Sequence, residues 1–376
     1  MIQRRKAEHL RICSEQDVEF KDKTTWLEHV QLVHEALSDL SLDEIRLETR
    51  FMGRQLKAPL MITAISGGLG EAEAFNRDLA GIAQELGIAF GLGSQRPMLE
   101  DPACVGSYAV RRFAPDVPIF GNIGLQQAAA ADPKDLLALV SRVEADGLAV
   151  HLNPAQELSQ AEGDKRFTDG WKTLKALARR MPGKILVKET GCGISRETAL
   201  RIKAAGVRML DVAGAGGTSW TRVERLRAGA ASADGAPRTW LEEWGIPTAA
   251  SVLETAPLGF TLVASGGIRH GLDAAKCLAL GADIAGLALP VLRAYTRGGR
   301  DEAFSYLETV IGDLKKAMLL TGARDLKALR RRRPAITGRL REWTSSRRKL
   351  RGPPGSPGST PSTCGSASTS SGSGIP

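Results

Sequence analysis

The 376-residue sequence has no run approaching about 18 uncharged apolar residues, so no transmembrane helix is expected. Its first residues, MIQRRKAEHLRIC, carry charge without an apolar stretch, and a secretory signal is not expected either. Cysteine is sparse. Cys13, Cys104, Cys192, Cys277 and Cys364 are scattered with no CxxC spacing, which argues against a disulfide scaffold or a zinc site and fits a reducing, cytoplasmic setting. No GxGxxG opens the first strand-to-helix turn, so the usual dinucleotide fingerprint of an open, doubly wound sheet is missing.

Acidic residues are scarce in one region. The formal net charge is +9, yet between Arg324 and Arg351 twelve Lys and Arg face Asp325 and Glu342, leaving about −1 for the rest of the chain. The basicity therefore belongs to one C-terminal segment, whose lone aromatic is Trp343. It lacks the interleaved aromatics on which bases stack, and nucleic acid is not expected as the partner. Residues 352–376 are almost all Gly, Pro, Ser and Thr. Such a stretch cannot bury enough apolar surface to offset its ordering entropy and reads as disordered. The ordered body is expected to end near residue 345.

What is present is a soluble, globular composition, 43% hydrophobic and 25% charged, long enough for one large α/β domain or two ordinary ones. Short apolar runs recur at Leu60–Ser66, Ile88–Gly91, Ile119–Gly121, Leu148–Leu152, Ile185–Val187, Met209–Ala213, Thr261–Ala264 and Ile284–Leu287. Several are apolar on both faces, as parallel strands covered by helices require. Helical periodicity follows, as in Asp135–Ala145, Trp171–Arg180, Arg196–Ala205 and Gly271–Leu280, with Ser195 and Asp273 as candidate caps. Eight such units predict an α/β fold, a TIM (β/α)8 barrel, with a mainly helical N-terminal extension and a disordered C-terminal tail. The units are 1–57, 58–345 and 346–376. Residues 221–250 form a long insert after the sixth strand.

Barrels of this kind carry their chemistry at the C-terminal ends of the strands. Gly214–Thr218 and Ser265–Arg269 offer runs of backbone amides that can face a phosphate, and each can equally be a tight turn. Lys188 ends an apolar strand, either as a fixed cation or as a side chain snorkelling to the surface. Ser94 and Asn122 sit at equivalent ends. His151, Asn153, Gln156 and Glu157 crowd one strand end, where they form either a Mg²⁺ site or a helix start capped by Asn153. Arg4, Arg5, Lys6 and His9 form a basic helix face, solvated unless the terminus folds over the mouth. Cys192 has no partner assignable from sequence that would make it a nucleophile.

The segments RKAEH, AISGG, GLGSQR, GNIG, HLNPAQE, VKETGCGIS, AGAGGTSW and SGGIRHGLDAAKCLALGAD, in this order, resemble the type 2, FMN-dependent isopentenyl-diphosphate isomerase family from about residue 4 to about residue 343. HLNxxQE and RKxxH are specific; GGxR and GxGGT are shared with many FMN barrels. The family more often has AMTGG where this chain has AISGG, and Ser66 keeps the hydroxyl. The resemblance implies interconversion of isopentenyl and dimethylallyl diphosphate with reduced FMN, Mg²⁺ and NADPH as reductant. It implies FMN contacts at Ala64, Ile65, Ser66, Ser94, Asn122, Lys188 and Thr218, with the FMN phosphate at Gly267, Ile268, Arg269, Ala288 and Leu289. The substrate diphosphate would meet Arg5, Lys6, Ser94, Gln95, Arg96 and Gln156. Glu157 would hold Mg²⁺, and His151, Asn153 and Gln156 would serve the reacting end. A homo-oligomer, tetramer or octamer, is also implied. The rival on the same fold is an FMN-dependent 2-hydroxy-acid oxidase or dehydrogenase, which wants a His base beside Gly-Gly after strand six; Gly214-Ala215-Gly216-Gly217-Thr218 has none.

Overall fold

The computed structural model describes residues 2–65, 71–229 and 239–349. Eight strands form where the apolar runs lie: β1 (Leu60–Ile62), β2 (Ala89–Gly91), β3 (Ile119–Gly124), β4 (Gly147–Leu152), β5 (Ile185–Glu189), β6 (Met209–Asp211), β7 (Thr261–Ala264) and β8 (Ile284–Leu287). They pair in parallel in sequence order, and β8 returns to β1 with Ala285 opposite Leu60 and Leu287 opposite Ile62. The result is a closed TIM barrel. β7 and β8 match their apolar runs to the residue. β3 and β5 run further, through Asn122 and through Lys188-Glu189, because these polar ends are buried and hydrogen-bonded inside the rim.

Four helices position the rim: α1 (Ile2–Glu15), α2 (Pro154–Ser159), α3 (Trp220–Arg227) and α4 (Leu289–Leu319). The sequence-expected helices form as Pro133–Ser141, Gly170–Arg180, Arg196–Ala204 and Gly271–Ala279. Ser195 caps its helix as expected, accepting from Thr198 N at 3.2 Å. Asp273 does not cap. His270 holds that position, its Nδ1 accepting from Asp273 N at 3.2 Å, while the Asp273 carboxylate accepts from Arg269 N at 3.0 Å. The Asp273 carboxylate thus reaches back past the cap residue to the N–H that precedes it.

The segment before the barrel is less helical than its sequence suggested. After α1 it is largely extended, with Val30–Gln31 paired antiparallel to Ala335–Ile336 and Thr49–Phe51 paired to Arg54–Leu56. Met52 (φ 53°) and Gly53 (φ 77°) both take the left-handed conformation that a two-residue hairpin turn demands. Phe51 packs on Phe120 with ring centroids 5.6 Å apart, so the hairpin closes the barrel end opposite the rim. Arg54 forks onto Asp146 Oδ1 at 2.9 and 2.7 Å, and Arg111 reaches Asp146 Oδ2 at 2.6 Å. The last described helix, Gly338–Lys349, runs past the expected end near residue 345. The remainder of the expected disordered tail lies outside the described residues.

Two consequences can be measured. A Cβ on Gly271 would lie 2.2 Å from Leu314 N and 2.3 Å from Val310 O, both backbone of α4. Gly271→Ala should therefore cost about 1–3 kcal/mol through forced separation of the two helices, seen as a lower denaturant midpoint; an unchanged midpoint contradicts this packing. Burial would raise the Asp146 pKa, but the Ile119 N–H, Arg54 and Arg111 outweigh it and hold the carboxyl below its ordinary value. The stability this provides is present above the unfolded-state value of about 4 and is lost as pH falls through the lower folded value. Asp146→Asn should be less stable than the parent at pH 7, and the difference should shrink on acidification in urea unfolding curves.

Candidate functional site

The C-terminal rim of the barrel opens into a cleft of about 1230 Å³, partly roofed by α1. α1 lies there because its apolar face, including buried Ile12 and Cys13, packs on α3 and α4. This turns its basic face, Arg5, Lys6 and His9, into the cleft. The N-terminal cluster is therefore part of the mouth, and its solvated alternative is set aside. Lys6 Nζ donates to Ser94 O at 2.7 Å and to Tyr108 Oη at 2.9 Å. Burial, then the charge of Arg5, lowers the Lys6 pKa to about 7. Arg96 lines the same wall and pairs with Glu100 at 3.2 Å.

Across the cleft stands the start of α2. Asn153 occupies the cap position, but its side chain does not cap. Asn153 Nδ2 donates to Gln156 Oε1 at 3.2 Å and to Glu157 Oε1 at 3.0 Å. Glu157 Oε2 accepts from Asp164 N at 2.8 Å. Asn153 Oδ1 is buried with no hydrogen-bond partner among the described residues. An orphaned oxygen beside a fixed carboxylate suits a hard cation, which takes oxygen ligands. No group of three or more His, Cys, Asp or Glu that could hold a metal occurs among the described residues. A cation here would therefore need most of its ligands from phosphate and water.

Beneath these groups the strand ends interlock. His151 Nδ1 donates to Asn122 Oδ1 at 2.8 Å. Burial, then Lys188 and Lys6, hold the His151 pKa down to about 3, so the imidazole is neutral and its Nε2 is an acceptor. Gln95 is not brought to the cleft. It is fully buried between strands, its Oε1 accepting from Asn122 N at 2.8 Å and its Nε2 donating to Leu139 O at 2.8 Å. Its amide satisfies backbone under the rim and cannot also reach a diphosphate. Lys188 is buried, not snorkelling, and donates to Glu189 O at 2.7 Å. Burial lowers its pKa against the opposing pull of Asp211 and Glu189.

A second cavity of about 600 Å³ adjoins the first, sharing Ala64, Lys188, Thr218, Ala288 and Leu289. Gly217, Gly266, Gly267, Ile268 and Arg269 form its far wall. Here glycine is required: a Cβ on Gly217 would sit 2.4 Å from Gly267 N, and Gly267 itself has φ 73°. The two loops after β6 and β7 thus touch backbone to backbone, and α4 starts at the same point. A glycine wall beside a helix N-terminus fits a phosphate, and the buried Lys188 between the cavities fits an attached ring that carries negative charge. The residues present are therefore compatible with a flavin mononucleotide. Ile65 lines the larger cleft; Ser66 lies outside the described residues.

Sequence reading missed four contributors. Glu224, from the long insert, has a side chain with no exposure and accepts from Gln156 Nε2 at 2.9 Å, Gln160 Nε2 at 2.6 Å and Arg227 Nε at 2.7 Å, with His9 Nε2 2.9 Å away. Burial would raise its pKa, but His9, Gln156 and Arg227 bring it to about 2. Glu19 meets Arg269 at the second cavity and lies 3.4 Å from Arg293. Trp220 packs edge-on to His9, centroids 5.3 Å apart. Tyr108 bonds Lys6. The unusual length of the insert hinted at Glu224, and Trp220 closes the AGAGGTSW segment; nothing local marked Glu19 or Tyr108. Cys192 lines neither cavity, and burial followed by Glu189 pushes its thiol pKa up, the reverse of what a nucleophile needs.

The profile of the FMN-dependent dehydrogenase family matches residues 116–335. An isopentenyl-diphosphate delta-isomerase of Methanothermobacter thermautotrophicus is 42% identical over 92% of this chain and 97% of its own. One of a Nostoc species is 41% identical over 87% of this chain and 94% of its own. Among solved structures, a mandelate oxidase variant with (S)-mandelic acid superposes with a TM-score of 0.60 at 20% identity, covering 88% of this chain and 94% of that one, a likeness of fold alone. With that barrel, this rim and relatives above 40% identity over nine-tenths of the chain, the protein belongs to the isopentenyl-diphosphate delta-isomerase family of enzymes, in its FMN-dependent, type 2 form.

Proposed function

We propose that the protein interconverts isopentenyl diphosphate and dimethylallyl diphosphate, a 1,3-allylic rearrangement of isoprenoid biosynthesis, with FMN in its reduced form, Mg²⁺, and NADPH as reductant. The observation that carries the reading is the placement of α1: it sets Arg5 and Lys6 against one wall of a cleft whose other wall is the Asn153-Gln156-Glu157 cluster. Cations on one side and a carboxylate suited to a metal on the other are what a diphosphate requires. NADPH and the oligomer rest on the resemblance. Exposed Trp240 and Trp244, packed edge to face at 5.6 Å, are apolar surface that a neighbouring copy in a tetramer or octamer would cover. A cytoplasmic location is in keeping with the free cysteines Cys13, Cys104, Cys192 and Cys277.

Moving the double bond adds a proton at one carbon and removes one at another, with no net change in redox state. Reduced FMN, when bound, supplies the acid–base chemistry beside the alkene. The residues of the chain do the rest. Arg5, Lys6, Ser94 and Arg96 would bind the diphosphate, and Glu157, with Asn153 Oδ1 on the neighbouring side chain, would hold Mg²⁺. Leu10, Leu289, Leu292 and Trp220 line the cleft and keep water from an electron-poor carbon skeleton. Neutral His151 offers Nε2 as an acceptor. Gln156 is oriented by Glu224 on its Nε2 and by Asn153 on its Oε1, which fixes its amide at the cleft wall, where it would serve the reacting end. Ala64, Ile65, Asn122, Thr218 and Lys188, with Ser66 implied by the resemblance, would hold the flavin ring, Lys188 balancing its negative charge, while Gly267, Ile268, Arg269, Ala288 and Leu289 would hold its phosphate. The diphosphate is remote from the reacting carbons, and its binding energy positions them.

The 2-hydroxy-acid oxidase reading has less support, since no histidine stands among Gly214–Thr218. Part of the basic C-terminal segment is engaged in ion pairs within the chain: Arg324 with Glu44, Arg330 with Asp283, Arg332 with Glu35, and Arg347 with Glu254 and Glu197. Turnover of isopentenyl diphosphate by the purified protein should require FMN, a reductant and Mg²⁺, each lost activity returning on re-addition. A flavin-loaded protein that oxidises hydroxy acids and leaves isopentenyl diphosphate untouched would sink the proposal. Glu157→Gln should raise the Mg²⁺ needed for half-maximal rate by at least about tenfold; an unaltered Mg²⁺ profile removes Glu157 from the metal site.

A further inference from the structure

Tyr108 belongs to none of the segments that carry the resemblance, yet it is the fully buried end of a small polar triangle at the cleft wall. Its hydroxyl accepts from Lys6 Nζ at 2.9 Å and donates to Ser94 O at 2.8 Å. Ser94 O also accepts from Lys6 Nζ at 2.7 Å. The ring is held rigidly: Tyr108 ends the 3-10 stretch Pro102–Tyr108, and Asn76 Nδ2 anchors the adjacent Ser107 O at 3.0 Å. Lysine presents a point charge on a flexible four-carbon stem, and α1 is tied to the barrel loop at Ser94 through that stem alone in this triangle. Two acceptors, 2.7 and 2.9 Å away, convert a mobile ammonium into a directed one.

We propose that Tyr108 is a positioning residue for diphosphate binding, fixing the Lys6 ammonium at the cleft wall and, through it, the docking of α1 on the barrel. The inference rests on the reading of Lys6 as a diphosphate ligand. Because Tyr108 touches Lys6 and not the reacting carbons, its loss acts on substrate and transition state alike. The ammonium is faced by Arg5 on its own helix, by Glu100 and Cys104 from the segment after β2, and by neutral His151 on β4. Burial among these groups already weakens its charged form, and an acceptor oxygen opposes that.

The test is a double-mutant cycle with Tyr108→Phe, Lys6→Met and the pair, in FMN-loaded full-length protein, each checked by thermal melting. Tyr108→Phe should raise KM for isopentenyl diphosphate about tenfold with kcat within about twofold. The high-pH limb of kcat/KM should move to lower pH, since removing an acceptor disfavours the ammonium. Lys6→Met should raise KM at least as much, and adding Tyr108→Phe to it should change nothing further. An unaltered KM and pH profile in Tyr108→Phe, with KM raised in Lys6→Met, overturns the role of Tyr108 alone. An equal further loss when Tyr108→Phe is added to Lys6→Met also overturns it, because the tyrosine would then act elsewhere. A normal KM in Lys6→Met removes the lysine from the diphosphate site and this inference with it.

Discussion

Everything at the site depends on the hydrogen-bonded closure of β8 onto β1. A parallel sheet buried on both faces leaves no edge that water can satisfy, and closing the ring removes the edge altogether. Closure also gathers eight strand ends into one rim. Polar side chains are tolerated there because each finds a partner: His151 the Asn122 side chain, Gln95 the Asn122 backbone N–H, and Lys188 the Glu189 backbone carbonyl. The barrel thereby holds a neutral imidazole and the Lys188 side chain within its buried layer.

The rim alone would be a shallow, open face. The extension before the barrel makes it a cleft. α1 is held by apolar packing on α3 and α4, and its polar face is stitched down at Lys6 on Ser94 and at His9 beside Glu224. Glu19, a few residues on, ties the same extension to Arg269 at the glycine loops. One stretch of chain thus contacts both cavities.

The charges are arranged by role. Arg5, Lys6, Arg96 and Lys188 line the larger cleft, with Glu157 and the strongly acidic Glu224 opposite. Glu224 stays ionised because three donors surround it, and it directs Gln156 from behind the cleft wall without lining the cleft itself. Low dielectric makes each of these pairings stronger and each unpaired group costlier. That leaves Asn153 Oδ1 as an unusual feature, and the adjoining carboxylate gives it a use.

Periodicity and composition determined the barrel, because strands covered on both faces must be apolar throughout and helices must alternate with them. The glycine loops after β6 and β7 were legible too, since close backbone approach leaves a residue little choice but glycine. The motif residues His151, Asn153, Gln156, Glu157 and Lys188 stood where strand ends were expected, and the tertiary fold brought them to one cleft. What only the folded chain decided was partnership at long range. Glu224 lies 68 positions from Gln156 and Tyr108 lies 102 from Lys6, distances over which no local pattern operates. The same applies to Gln95: its neighbours in sequence place it at the rim, while the fully packed space under β3 turns its amide inward to the backbone. Local propensity acts over a few residues, whereas the identity of a side chain's partner is set by which strands closure makes adjacent.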